Sequence, residues 1–236
     1  MAKQGTLYMI PCPIVDYKND SIPAETIELT HKISHFVVER ARTARRWLSS
    51  IEHPQAIDEL EIFELNKNDA QQDLSGILSK LGQGLDIGVI SEAGCPGIAD
   101  PGHRAVAYAH RKGYKVAPLI GPSSILLALM ASGFNGQSFA FWGYLPNKKP
   151  DINKRLRSLE SNLSSTGQSQ IFMEAPYRNG FMLEQIVQTL NPNTQLCVAC
   201  DINAKTESIS TKTVKEWKST DFKSYHKRPA IFLIGR

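Results

Sequence analysis

Cysteine is scarce in this chain, with four thiols (Cys12, Cys95, Cys197 and Cys200) in 236 residues. Four scattered cysteines do not make a disulfide framework, and they fit reduced thiols in a reducing compartment. Cys197-Val-Ala-Cys200 is formally a C-x-x-C. No second ligand pair accompanies it and its setting reads as a buried strand, so neither zinc nor redox work is expected. His31 and His35 stand four residues apart, a metal-compatible spacing on a helix, but no third ligand is in sight. They are expected to be surface histidines, and no metal site is expected. Long apolar runs are missing: none approaches the roughly 18–20 residues that span a bilayer. Met1-Ala-Lys-Gln-Gly5 lacks the apolar stretch of a signal peptide. The expectation is a cytoplasmic protein with no membrane role. Internal repeats and low-complexity segments are also absent, and Gly and Pro are near average usage, which excludes a fibrous or largely disordered chain.

Charge of either sign is modest, with a formal net charge of +4. That balance permits RNA binding without demanding it. Its distribution says more. Arg40, Arg42, Arg45 and Arg46 cluster around one predicted helix, and Lys148, Lys149, Lys154, Arg155 and Arg157 follow the Pro146 turn. A third basic stretch runs from Lys212 to Arg228. Each cluster alone reads as a solvated face, but three together point modestly to a phosphate-bearing substrate. Nothing points to DNA.

The most informative segment is Val89-Ile-Ser-Glu-Ala-Gly-Cys-Pro-Gly-Ile-Ala-Asp-Pro-Gly102, an apolar strand running into a loop of Gly, Pro and two acids. In α/β proteins ligands settle at the carboxyl ends of strands, where such loops lie. Small residues let backbone approach a ligand, and prolines hold the loop in shape. Asp100-Pro-Gly102 reads as an N-cap with Pro at the first helical position.

The first half alternates strands (Thr6–Ile10, Phe36–Glu39, Leu60–Leu65, Asp86–Ser91, Lys115–Pro118) with helices. These begin near Pro23 and cover Arg42–Ser50, Ala70–Leu81 and Gly102–Lys112, the last stopped by Gly113. Such alternation predicts a mostly parallel α/β sheet. The second half reads as a helix over Ser123–Ala131, a hairpin-like Phe139–Tyr144, helices over Asn153–Leu163 and Gly180–Leu190, and a Ser-rich loop over Ser158–Ser169. Strands Ser169–Glu174, Gln195–Ile202, Ser208–Val214 and Ala230–Ile234 predict a mixed sheet. Two α/β domains follow, residues 1–118 and 119–236. A cleft between such domains is a favoured ligand site.

Further segments carry a family signal: Gly5-Thr-Leu-Tyr-Met-Ile-Pro-Cys-Pro13, Val116-Ala-Pro-Leu-Ile-Gly-Pro-Ser-Ser124, Phe139-Ala-Phe-Trp-Gly-Tyr-Leu-Pro146 and Ile171-Phe-Met-Glu-Ala-Pro-Tyr-Arg178. With the Ser91–Gly102 loop, and in this order, they resemble the tetrapyrrole methylase superfamily of S-adenosylmethionine-dependent methyltransferases. Within it they are most similar to the ribose 2′-O-methyltransferase branch acting on small-subunit ribosomal RNA. The resemblance runs from Gly5 to Gly235. It implies a cofactor folded between two domains, S-adenosylmethionine as that cofactor, ribosomal RNA or the small subunit as partner, and a homodimer. This superfamily does not use a Rossmann G-x-G-x-x-G loop, so its absence here is no objection.

Methyl transfer from a sulfonium is an in-line displacement on carbon, which needs alignment and exclusion of water rather than a metal. By position in the family pattern, the cofactor is expected against Pro11, Ser91, Ala93, Gly94, Pro96 and Ser123, with Met173 and Ala199 from the second domain. Without that pattern the apolar ones read as ordinary core. A ribose hydroxyl is a poor nucleophile and needs a base or a positioning network. Glu174 and Asp201 at strand ends are the catalytic candidates, with Glu92 and Asp100 also able to orient a hydroxyl, although Asp100 reads equally as a helix cap. Arg40, Arg42, Tyr177 and Arg178 are expected to bind substrate, Tyr177 and Arg178 by stacking a base and taking a phosphate.

Several acceptor-side loops depart from the family pattern. Pro13-Ile-Val-Asp-Tyr17 stands where Pro-Ile-Gly-Asn-Leu is usual, and Val38-Glu-Arg-Ala-Arg42 where Ala-Glu-Asp-Thr-Arg is usual. Glu92 replaces an Asp, and Cys200-Asp-Ile-Asn-Ala204 replaces Arg-Glu-Leu-Thr-Lys. Cleft loops are where substrate is read. Two alternatives therefore stay open: a methylase of a small molecule such as a tetrapyrrole, and a cofactor-binding protein that has lost catalysis.

Overall fold

The computed structural model describes residues 4–16, 18–66, 69 and 71–236. Met1, Ala2 and Lys3 of the leader reading, Tyr17 of the altered loop and the Ala70 helix start lie outside the described residues. Contacts divide the chain into two compact units, Met1–Ser123 and Ser124–Arg236.

The first unit alternates strand and helix: β1 (Thr6–Ile10), α1 (Ala24–Thr30), β2 (His35–Val38), α2 (Ala41–Ser50), β3 (Glu61–Glu64), α3 (Ser75–Leu78), β4 (Ile87–Ile90), α4 (His103–Lys112) and β5 (Lys115–Pro118). The strands form one sheet in the order β3-β2-β4-β1-β5, and every pair is parallel. Parallel strands are covered on both faces, so both side-chain sets must be apolar. Leu7, Met9, Val37, Ile87 and Val89 pack with Leu78, Ala105 and Ala109. Ile10, Phe36, Val38 and Ile90 pack with Trp47 and Leu48.

The second unit contains α5 (Ser124–Ser132), β6 (Phe139–Tyr144), α6 (Lys149–Thr166), β7 (Ser169–Met173), α7 (Asn179–Thr189), β8 (Gln195–Cys200), β9 (Ser208–Thr213), α8 (Val214–Trp217) and β10 (Ala230–Gly235). Its sheet runs β6-β7-β10-β8-β9 and is mixed: β6 and β7 are parallel and the other neighbours antiparallel. One face buries Phe172, Val198 and Phe232 under Leu156 and Leu159 of α6, Met182 and Ile186 of α7, and Trp217 of α8. The fold is thus two α/β units, one with a parallel sheet and one with a mixed sheet. Among the described residues no helix is long and apolar enough to cross a membrane.

Several local expectations need correction. Ser158–Thr166 is helical, because Ile152, Leu156, Leu159 and Leu163 keep one apolar face in step to the last turn, and Gly167 (φ +71°) ends it. Phe139–Tyr144 is one edge strand with a bulge before Tyr144, not a hairpin. Helix α3 begins only at Ser75 and gives way to a 3₁₀ turn over Ser79–Gln83. His31 caps α1 while His35 opens β2, so the pair shares no helix; His31 Nε2 lies 2.7 Å from the Ile51 carbonyl. The N-cap of α4 is Gly102 rather than Asp100, whose side chain serves the loop instead.

Candidate functional site

All five strands of the first sheet point the same way, so their carboxyl ends share one edge, the edge where α/β folds bind ligands. From β1 the chain travels to β2 and β3, then returns to β4 and crosses to β5 on the far side. The direction of travel therefore switches at the neighbouring strands β1 and β4. Just beyond their ends, Cys12 and Gly94 exchange backbone hydrogen bonds of 3.0 Å each way. Gly94 has φ +68°, a conformation glycine adopts without steric cost. Ser91 is buried, and its hydroxyl donates to the Ala93 carbonyl at 3.0 Å and the Gly94 carbonyl at 3.3 Å, folding the loop back on itself. The Asp100 carboxylate closes the other end, accepting from Gly97 N–H at 2.8 and 2.9 Å and from Gly102 N–H at 2.6 Å. Burial pushes its carboxyl up, against the opposing pull of those two donors.

The loop after β5 joins them. A Cβ on Gly121 would fall 2.3 Å from Pro11 Cβ, so glycine lets the Pro11 ring pack directly against this loop's backbone. Cys95 Sγ lies 3.4 Å from the Pro122 carbonyl. Pro11, Ser91, Gly94 and Pro96 are buried, Ser123 is half-buried and Ala93 exposed. Pro11, Ser91, Ala93, Gly94 and Pro96 are therefore brought together by loops meeting at one sheet edge, with Ser123 closing the third loop. Small residues and backbone carbonyls gathered at one sheet edge are the groups that a ligand carrying a sulfonium and a purine favours. In the second unit Met173 is half-buried at the end of β7, whereas Ala199 is fully buried inside β8, paired with Ile231 and Ile209.

Charged groups rim the first unit's edge. Glu39 accepts the Glu92 N–H at 2.8 Å, and Arg40 Nε lies 3.1 Å from Glu92 Oε1. Glu64 accepts the Ala41 N–H at 2.6 Å, at the start of α2. An open hollow of about 590 Å³ is lined by Glu39, Arg40, Arg42, Glu64, Leu65 and Asn66. A smaller pit, about 50 Å³, is lined by Asp16, Thr43, Arg46, Trp47 and Glu92 among others. The altered family positions Asp16, Arg40 and Glu92 thus gather at these two hollows, beside Arg42, which matches the family pattern. Glu64 and Trp47 were not anticipated: Glu64 has the strand-end position of a site acid, while Trp47 reads simply as helix core.

In the second unit β7 and β8 both oppose β10, so they run the same way and end on one edge. Glu174 and Asp201 are the next residues, flanking the start of β10. Glu174 is buried, accepts the Ala175 N–H at 2.8 Å, and has Oε2 3.1 Å from Arg178 Nε, an ion pair without hydrogen-bond alignment. Arg178 also donates to the Asn147 carbonyl at 3.2 Å. Asp201, at φ +49°, accepts from Arg228 Nε at 2.7 Å and from the Thr206 hydroxyl at 2.8 Å. That bond to Asp201 holds the Arg228 guanidinium above its ordinary pKa. Both carboxylates are therefore engaged by arginines, which orients cationic donors rather than leaving an unopposed base. Among the described residues no cluster of three or more His, Cys, Asp or Glu side chains is placed to hold a metal.

Two parallel-then-mixed α/β units with converging Gly/Pro loops define the tetrapyrrole methylase fold. Diphthine synthase superposes over 98% of this chain and 90% of its own at a TM-score of 0.71 and 13% identity. The methyltransferase CobJ superposes over 100% and 95% at a TM-score of 0.64 and 16% identity. Sequence relatives sharpen the class. The ribosomal RNA small subunit methyltransferase I of Buchnera aphidicola subsp. Schizaphis graminum is 28% identical over 98% of this chain and 79% of its own length. The proteins of that name from Vibrio cholerae (28%, covering 89% and 69%) and Escherichia coli O157:H7 (29%, covering 90% and 71%) agree. No protein-family model matches the chain. The chain is a methyltransferase of this fold, and S-adenosylmethionine is the methyl donor of the class.

Proposed function

We propose that the protein transfers a methyl group from S-adenosylmethionine to the 2′-hydroxyl of a ribose in small-subunit ribosomal RNA. The observation that carries this is the likeness, over nearly the whole chain, to relatives named for the small ribosomal subunit's RNA. The bound cofactor supplies an electrophilic methyl carbon. The chain's own part is to hold and orient: Pro11, Ser91, Ala93, Gly94, Pro96 and Ser123 wall the donor, with Met173 as a further cofactor contact, while Ala199, fully buried within β8, has no surface to offer one. Glu174 and Asp201 serve the acceptor side by fixing Arg178 and Arg228, so in this reading they are positioning residues. Arg40, Arg42 and Arg178 meet phosphates, and Tyr177 stacks a base. We take the two units as two domains, the working form as a homodimer, and the compartment as the cytoplasm, where the small subunit is found.

A small-molecule acceptor is favoured by one observation: carboxylates of Glu39, Glu64 and Glu92 share the rim with Arg40 and Arg42, and they oppose a phosphate there. The experiment that separates the readings uses methyl-labelled S-adenosylmethionine with small ribosomal subunits from cells lacking the protein, followed by digestion to nucleosides. Label in a 2′-O-methyl nucleoside supports the ribose reading. No label on RNA, with a tetrapyrrole or other small acceptor labelled instead, replaces it. Cofactor binding without transfer to either acceptor, and no effect of substitutions at Glu174, Arg178 and Asp201, would identify a binding protein that has lost catalysis.

A further inference from the structure

Two exposed tyrosines lie on segments that leave neighbouring strands of the second sheet. Strands β6 and β7 run parallel with Tyr144 in register with Met173, so the loop after Tyr144 and the Glu174–Arg178 turn emerge together. Tyr144 is 61% exposed and Tyr177 65%. Rings of this size normally bury their faces and find a partner for the hydroxyl. Among the described residues neither phenol has a hydrogen-bond partner. The edge is nevertheless braced. Arg178 spans it, donating to the Asn147 carbonyl at 3.2 Å, opposing Glu174 at 3.1 Å, and lying 5.4 Å from the Phe181 ring. The adjoining segment from Tyr144 to Arg157 carries five cations against the single acid Asp151. Lys148 and Lys149 are exposed at the start of α6.

We propose that this edge is a stacking platform for unpaired RNA, in which Tyr144 and Tyr177 take the faces of bases while Lys148 and Lys149 meet the phosphates. Exposed rings beside a cationic track are the chemistry of single-strand binding, because every base offers a π-face that pairing hides. The inference rests on the RNA acceptor proposed above and adds two properties. The RNA is single-stranded where this edge reads it, and recognition through ring faces tolerates sequence.

The test is anisotropy of a short fluorescein-labelled single-stranded RNA titrated with the full chain. Tyr144→Leu and Tyr177→Leu each weaken binding by about 5- to 100-fold, whereas Tyr144→Phe and Tyr177→Phe, which keep the ring, stay within about twofold. A duplex of the same sequence binds the wild type more weakly than the single strand does. Binding by the Leu variants equal to wild type overturns the platform, as does a loss in the Phe variants as deep as in the Leu variants. The two readings fail separately. Methyl transfer to small subunits with an unchanged KM in both Leu variants removes the platform and leaves the function standing. A wild-type protein that neither binds nor methylates RNA removes both.

Discussion

Gly121→Ala puts the meeting of loops in the first unit to a quantitative test. The new Cβ would sit 2.3 Å from Pro11 Cβ and 2.6 Å from Pro11 Cγ. Carbon atoms rest at about 3.5–4.0 Å, so the contact is more than an ångström short and one loop must move. Proline is rigid, and the Cys12–Gly94 bridge anchors the residue after Pro11, so little compliance is available. Forced overpacking of this kind costs about 1–3 kcal/mol, which for a unit of this size lowers Tm by roughly 3–6 °C per kcal/mol. Displacing a ligand wall by about 1 Å can lower turnover on the order of a hundredfold. Gly113→Ala is the control. Gly113 has φ +74° at the end of α4 with open space where a Cβ would go, so alanine pays only about 1–2 kcal/mol of backbone strain there. Both variants should melt earlier, and only Gly121→Ala should lose affinity for S-adenosylhomocysteine by calorimetry. Wild-type affinity in Gly121→Ala, or an equal loss in Gly113→Ala, would refute the assignment of the three loops to the cofactor.

Other perturbations test the rest of the account. Arg228→Met strands the Asp201 carboxylate, whose side chain is 13% exposed, and should destabilise the second unit by about 2–3 kcal/mol in urea; the double variant with Asp201→Asn should recover part of that loss, and strict additivity would contradict the pairing. Cys12, Cys197 and Cys200 are buried, with burial pushing the Cys200 thiol up to about 11, so Ellman's reagent should find only the half-buried Cys95 in the native protein and all four thiols in denaturant. Rapid reaction of three or more native thiols would show the second sheet is less closed than described. Burial, and then Lys80, lower the His35 pKa below its ordinary 6.5, so the unfolded chain takes up a proton there before the folded one does. Stability should therefore fall as pH drops through 6.5, and His35→Gln should flatten that slope in urea titrations. An unchanged slope would locate the pH dependence elsewhere.

The parallel sheet of the first unit was legible because its strands alternate with helices and are apolar on both faces, as in Ile87–Ile90. The converging loops were legible through Gly and Pro: Gly94 and Gly121 occupy positions that a side chain would strain or clash, and that requirement is local. What escaped was set by distant partners. Asp100 looks like a helix cap from its neighbours, yet its acceptor geometry is fixed by Gly97 as well as Gly102. The Ser-rich stretch after Ser158 has weak helix propensity, and it is the packing of Leu159 and Leu163 against the second core that holds it helical. Glu174 and Asp201 could be placed at strand ends by pattern. Arg178 stands only four residues from Glu174, so that pairing is local, whereas the engagement of Asp201 by Arg228 depends on β8 lying beside β10, which no local signal reveals.

Alkaline hydrolysis of the labelled RNA is the most direct measurement of the central claim. The 2′-hydroxyl is the nucleophile that cleaves RNA in alkali, so a methyl group on it protects the adjacent phosphodiester. After transfer from methyl-labelled S-adenosylmethionine to small subunits, the account predicts label in alkali-resistant dinucleotides. Label confined to mononucleotides would mean methylation on a base, and the ribose assignment would be wrong.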